Sequence, residues 1–218
     1  MKKYRVNEIF YSLQGEGYNT GRAAVFVRFS GCNLKCPFCD TDFTSYKEMS
    51  TEDIVSAVKA LEPSPSASSP CRLVVLTGGE PTLQVDEALV SALQTAGHEV
   101  AMESNGTRPA PENLDWLTVS PKTTGGERLE IKGGRFPDEI KIVFDEDTDP
   151  ETILAALKMT TPISSPRGGR EGVLLFLQPC DVGDSKRNSQ IVKRCVEYIK
   201  THPHWRLSLQ THKLINIP

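Results

Sequence analysis

The chain has 218 residues, six cysteines and a formal net charge of −3 at pH 7. That length makes one domain the default, and the apolar content suffices for a buried core. A slightly acidic balance without a basic block argues against a nucleic-acid surface, and no apolar run approaches the ~20 residues of a membrane span.

Met1–Glu8 carries basic residues but no apolar stretch of the signal-peptide kind, so the expected compartment is a reducing cytoplasm. Val6–Tyr11 alternates loosely and breaks at Leu13-Gln14-Gly15-Glu16-Gly17. Two glycines around a glutamate allow a close backbone approach, although a plain turn with a solvated Glu16 uses the same residues. Ala23–Phe29 is a near-continuous apolar run, which predicts a strand buried on both faces. Arg28 within it is costly unless paired. It either leaves the sheet to meet an anion or makes a structural ion pair, and the loop that follows almost at once favours the anion.

That loop, Gly31-Cys32-Asn33-Leu34-Lys35-Cys36-Pro37-Phe38-Cys39-Asp40-Thr41, sets three cysteines at C-x3-C-x2-C spacing. Three thiolates from one loop can hold an iron–sulfur cluster and leave one position open for a cofactor or substrate. Structural zinc needs a fourth protein ligand, and no second C-x2-C supplies a pair. A disulfide leaves one thiol over in a chain without secretory context. Buried core cysteines would not be punctuated by Gly31, Pro37 and Asp40.

Beyond the loop, Ser50 or Thr51 is positioned to cap a helix whose Ile54, Val55, Val58 and Leu61 recur at helical spacing. Pro63–Pro70 reads as a surface loop. Leu73–Leu76 reads as a buried strand ending in Thr77-Gly78-Gly79-Glu80-Pro81. A helix through Val85, Leu89, Val90 and Leu93 stops at Gly97. Four more strands follow: Glu99–Met102, Trp116–Val119, Ile140–Phe144 and Val173–Leu177. Each finishes in a polar cluster, respectively Glu103-Ser104-Asn105-Gly106, Ser120-Pro121-Lys122, Asp145-Glu146-Asp147 and Gln178-Pro179-Cys180-Asp181. Recurrent polar strand ends predict an α/β fold, a parallel barrel or part of one with its site at one rim. The stretch 123–137 is too short and Gly-rich for a crossover helix, so the barrel is predicted to be incomplete. It is read as a variable insert, and 159–172 as a further loop, within one domain spanning 1–218 whose metal loop covers 31–44. A last helix over 185–201 puts Cys195 on its apolar face, and Cys71 and Cys180 receive no role. The ending from His204 to Pro218 is apolar, with a strand-like run, the Gln210-Thr211-His212-Lys213 cluster and a final proline, which predicts a tail tied to the body.

C-x3-C-x2-C with Phe38 before the third cysteine resembles the radical S-adenosylmethionine (SAM) superfamily. The resemblance implies a [4Fe–4S] cluster on Cys32, Cys36 and Cys39, with SAM on the open iron and Thr77–Glu80 beside the SAM amino group. The combination of Leu13–Gly17, Arg28, the cysteine loop, Thr77–Pro81, Glu103–Gly106, Ser120–Lys122, Gln178-Pro179 and the Arg206–Pro218 ending resembles the 7-carboxy-7-deazaguanine synthase family. Membership implies an incomplete parallel β/α barrel, a homodimer, and conversion of 6-carboxy-5,6,7,8-tetrahydropterin to 7-carboxy-7-deazaguanine with loss of ammonia, in queuosine and 7-deazapurine biosynthesis. It further implies Mg2+ at Thr41, SAM against Phe38, Gly79, Glu103, Ser120, Pro121, Lys122 and Gln178, and substrate against Leu13, Gln14, Gly15, Glu16, Arg28, Thr77, His212 and Pro218. The electron donor is then a flavodoxin or ferredoxin. A glycyl-radical-enzyme activase shares the cysteine spacing but acts on a protein. A non-enzymatic electron carrier or zinc module leaves the polar strand ends unexplained.

Overall fold

A computed structural model describes residues 2–39, 42, 44–61, 72–122, 135–157 and 172–218. Thr41, Cys71, residues 123–134 of the insert and all but Gly172 of the 159–172 loop lie outside the described residues. The strands are β1 (Tyr4–Leu13), β2 (Ala23–Phe29), β3 (Lys47–Met49), β4 (Leu73–Gly78), β5 (Glu99–Ser104), β6 (Trp116–Val119), β7 (Glu139–Phe144), β8 (Leu174–Pro179) and β9 (Trp205–Leu207). They form one sheet in the order β3-β1-β2-β4-β5-β6-β7-β8-β9. From β2 onward every neighbour is parallel, while β1 and β3 run antiparallel at one edge. No pairing joins β9 back to β1, so the barrel is incomplete, as the short insert predicts.

Helices α1 (Thr51–Ala60), α2 (Glu87–Thr95), α3 (Pro150–Ala156) and α4 (Ser185–Thr201) supply the crossovers. Ser50 caps α1 in a reciprocal capping box with Asp53, and Asp86, Asp149 and Asp184 cap the other three. The outer sheet face meets these helices. Val25, Val27, Leu76, Val100 and Met102 pack with Ile54, Val58, Leu89 and Leu93, and Ile140, Ile142, Leu175 and Leu177 pack with Ile191 and Cys195. Cys195 is therefore core, as its place in the helical pattern predicts, and burial pushes its thiol up to about 12.

The apolar runs form strands with no exposed residue on either face, but the two faces differ in polarity. Side chains alternate with period two, and only the helix side is uniformly apolar. The inner side begins with Ala24, Phe26, Leu73, Val75, Ala101 and Trp116. Farther along the same face come Arg28, Thr77, Glu103, Glu139, Lys141 and Gln178, by the same alternation.

Two segments close this interior. Residues 14–22 cross the first residues of three strands: Arg22 pairs with Glu99 at 2.5 Å, Tyr18 stacks on Trp116 at 4.8 Å, and the Tyr18 N–H donates to Glu139 at 2.8 Å. The strand-like run of the tail is β9, and the chain after it turns into a short helix, α5 (Thr211–Ile215). The Thr211 N–H and hydroxyl both donate to the Gly15 carbonyl, at 3.0 and 2.9 Å, and the Ser12 hydroxyl donates to the Pro218 carbonyl at 2.8 Å. The terminus is thus tied to β1 near the seam.

Candidate active site

The strand ends converge on one cavity of about 720 Å3, a size suited to small-molecule ligands. Cys32, Cys36, Phe38 and Cys39 form one wall. Thr77–Gly79, Ser104–Asn105, Ser120, Lys122 and Gln178–Asp181 come from the ends of β4, β5, β6 and β8, and Glu16, Lys141 and Gln210 reach in from the barrel interior.

The Gly pair locks the cysteine loop to β4. The Gly79 N–H donates to the Phe29 carbonyl and the Glu80 N–H to the Gly31 carbonyl, both at 2.9 Å. A Cβ on Gly79 would sit 2.1 Å from the Gly31 oxygen, so only glycine permits this approach. Glu80 itself does not face the cavity. Its carboxylate is fully buried and accepts from Thr82 N–H (3.1 Å), Thr82 Oγ1 (2.6 Å), Ser104 Oγ (2.8 Å) and Asn105 N–H (2.7 Å). This corrects the reading that Glu80 meets the SAM amino group: its side chain holds the next strand end instead. Asn105 passes the restraint on, donating from Nδ2 to Asn33 Oδ1 at 3.0 Å within the cysteine loop.

Cys32, Cys36 and Cys39 share this wall. Burial raises the Cys36 thiol, Lys122 pulls it back, and Cys32 and Cys39 raise it further, so the three sulfurs sense one another. Among the described residues no group of three His, Cys, Asp or Glu forms a preformed single-ion cage. The three thiols fit a cluster by loop spacing and by their common wall beside an open cavity. Lys122 donates to Ser120 Oγ at 2.6 Å and lies 5.7 Å from the Phe38 ring centroid, which ties the end of β6 to the same loop. Burial and repulsion from Lys141 lower its pKa.

Deeper in, Lys141 is 4% exposed, ion-paired to Glu16, and 3.6 Å from Glu103 Oε2. Gln14 Nε2 donates to Glu103 Oε1 at 2.8 Å, and Gln210 Nε2 to Glu16 Oε1 at 3.1 Å. Burial opposes charge on Glu16, but Lys141 and Gln210 outweigh it and hold the carboxyl at about 2. Burial likewise opposes charge on Lys141, yet Glu103, Glu16 and Glu139 raise its pKa. Glu139 is pushed up to about 7 by burial, against the pull of Lys141 and the Tyr18 N–H.

The raised Glu139 makes a prediction. A carboxyl whose folded pKa exceeds its unfolded value binds more protons when folded, so its contribution falls as pH rises from about 4.5 to about 7. Glu139→Gln mimics the protonated form, so its thermal stability relative to the parent is expected to improve by on the order of 1 kcal/mol between pH 5 and pH 8. Parallel melting curves at the two pH values check this, and a pH-independent difference would show that Glu139 stays ionised.

Relatives identify the chemistry. The Radical SAM superfamily model matches residues 26–144. The chain is 45% identical over 214 residues to the 7-carboxy-7-deazaguanine synthase of Bacteroides thetaiotaomicron, covering 98% of each chain. It is 41% identical over 234 residues to that of Nitratidesulfovibrio vulgaris, covering 99% of each. The chain belongs to the 7-carboxy-7-deazaguanine synthase family. The crystal structure of QueE from Escherichia coli is also similar, with a TM-score of 0.70 and 26% identity over 95% of this chain and 93% of that one. As radical SAM proteins, members of this family work with a [4Fe–4S] cluster and SAM.

Against that family's expected site, the cavity brings together Cys32, Cys36, Phe38, Cys39, Glu16, Thr77, Gly79, Glu103, Ser120, Lys122 and Gln178. Leu13, Gln14, Gly15, Arg28, Pro121, His212 and Pro218 are not among its lining residues. Gln14 is buried and orients Glu103 and Glu16. Gly15 makes room for His212, whose Nδ1 would lie 2.2 Å from a Cβ there, so the close approach foreseen at this turn is to a protein side chain. In this structure Arg28 pairs with Glu8 at 2.6 Å over the Phe10 ring. Lys141, Asn105 and Cys180 line the cavity without having been assigned to it from sequence, and Glu139, which acts on Lys141, was missed with them. The available signal was Glu139-x-Lys141, two charges at strand period in an otherwise apolar run.

Proposed function

We propose that this chain is the ring-contracting lyase that converts 6-carboxy-5,6,7,8-tetrahydropterin to 7-carboxy-7-deazaguanine and ammonia. The observation carrying the reading is one cavity with two chemistries: three thiols and the strand-end loops at one side, and a buried carboxylate–lysine group at the other. When bound, the reduced cluster and SAM supply a carbon radical able to take hydrogen from C6 of the pterin and return it after the ring contracts. Loss of ammonia accounts for the whole change in composition, so the net reaction is redox neutral and SAM is recovered.

The chain's own residues bind and orient. Phe38, Gly79, Glu103, Ser120, Pro121, Lys122 and Gln178 surround the SAM position. Lys122 offers an ammonium to a carboxylate there, and Gly79 leaves backbone exposed to the cavity. Gln14, Glu16 and Thr77 face the pterin or hold its contacts, with Leu13, Gly15, His212 and Pro218 as their frame. Arg28 is assigned to the substrate carboxylate through exchange with Glu8, since its register partner Thr77 lines the cavity. Mg2+ at Thr41 is a hard cation suited to that hydroxyl and a substrate carboxylate. Exposed Tyr11 and Leu13 on β1 and Leu214 and Ile215 on α5 offer apolar surface for a homodimer. A flavodoxin or ferredoxin donor and a cytoplasmic location complete the reading. No helix among the described residues is long and apolar enough to cross a membrane.

The test is one anaerobic incubation of reconstituted protein with SAM, a reductant, Mg2+ and 6-carboxytetrahydropterin, followed by mass spectrometry. Carboxydeazaguanine with little net SAM loss is the expected result. SAM cleavage with untouched pterin would overturn the substrate and point to a protein partner, as in glycyl-radical-enzyme activation.

A further inference from the structure

The charged group inside the barrel exceeds what a structural ion pair requires. Lys141 is buried on the inner face of β7 and could be neutralised by Glu16 alone, yet Glu103 stands 3.6 Å from its Nζ and Glu139 acts on it as well. Replacing such a group with apolar packing commonly costs nothing, and this one lines a ligand-sized cavity. Each carboxylate also has one oxygen held by a second side chain, Glu103 Oε1 by Gln14 and Glu16 Oε1 by Gln210, which lines the cavity with it. Both are thereby fixed in orientation, and both line the cavity.

We propose that Lys141 is a positioning residue for the substrate: standing between Glu16 and the Glu103 that faces SAM, it holds the Glu16 carboxylate in place on the cavity wall, where it accepts hydrogen bonds from a donor-rich, guanidine-like edge. This deepens the function proposed above and rests on it. The pterin presents such an edge, an exocyclic amino group with adjacent ring N–H groups, which matches carboxylate acceptors. Two bare carboxylates this close would repel, and one would take a proton and become a donor. Lys141 prevents this from a position between them. The titratable groups acting on Lys141 are Glu16, Glu103 and Glu139, and Lys122 feels it from the end of β6.

The test compares Lys141→Met, Lys141→Arg, Glu16→Gln and the Glu16→Gln/Lys141→Met double variant, each with its cluster reconstituted. Binding of 6-carboxytetrahydropterin and of SAM is measured separately. Lys141→Met is expected to weaken the pterin about thirtyfold or more, with SAM within about threefold. Its pterin affinity should recover in part from about pH 7 to about pH 9, because carboxylates without their cation ionise later. Lys141→Arg should restore most of the affinity. If Lys141 acts through Glu16, the double variant binds pterin within about threefold of Glu16→Gln alone. That comparison also decides the matter should Lys141→Met fail to fold. Pterin affinity unchanged in Lys141→Met, an equal loss of SAM, or a further tenfold loss in the double variant would each overturn the proposal. Failure of the parent protein to bind or convert the pterin would instead overturn the function on which it rests.

Discussion

Replacing Cys36 with alanine is expected to abolish cluster assembly and, with it, release of 5′-deoxyadenosine from SAM. Burial raises the Cys36 thiol, and Cys32 and Cys39 raise it further against the pull of Lys122, so Cys36 stands close to both other sulfurs. Its removal leaves Cys32 and Cys39 as the loop's remaining sulfurs, too few to hold three irons of a site-differentiated cluster. The surrounding fold should persist, because the loop is anchored independently by the Gly79 and Glu80 N–H groups and by Asn105. Cys180→Ala is the matched control. Cys180 also lines the cavity, but from the end of β8, so its variant should keep parental iron and sulfide content. Iron and sulfide analysis, electron paramagnetic resonance of the reduced protein and deoxyadenosine release measure the pair. Parental cluster content in Cys36→Ala would remove the cluster from this loop.

The parts of the fold that were legible are those whose cause is local. Ser50 followed by Asp53 announces a capped helix, Gly97 ends one, and each polar cluster after an apolar run marks a strand end. Cys32, Cys36 and Cys39 were readable because one short loop carries all three. Pairs distant in sequence were not readable. Glu16 and Lys141 are 125 positions apart, and only the register of β7 against the 14–22 loop brings them together. Arg28 illustrates a nearer miss. Its partner Glu8 sits opposite it in the antiparallel β1–β2 pair, so pairing the two strands at the sequence level would have exposed the match. Alternation of charged residues along β7 carried information that counting apolar residues discarded: Glu139 and Lys141 share a face, and that face is the inside of the barrel.

Glu80→Ala should be the most damaging change that touches no ligand. The carboxylate lies fully buried between β4 and β5 and accepts four hydrogen bonds from Thr82, Ser104 and Asn105. Truncation leaves those donors without their acceptor in a site closed to solvent, at a cost of about 3 kcal/mol or more. The damage also has a direction. Asn105 donates to Asn33, whose amide in turn donates to Thr107 Oγ1 at 2.8 Å, so loosening the end of β5 loosens the cysteine loop. Glu80→Gln retains one acceptor oxygen and the shape of the side chain. It is therefore expected to recover much of the stability but not all of the order, because its amide faces N–H and O–H donors. Chemical denaturation and SAM affinity should fall in the same sequence, from parent to Gln to Ala, with Ala losing at least about a hundredfold in SAM affinity. A Glu80→Ala protein of parental stability with weakened SAM binding would show the reverse arrangement, with this carboxylate turned to the cofactor rather than to the turn that supports it.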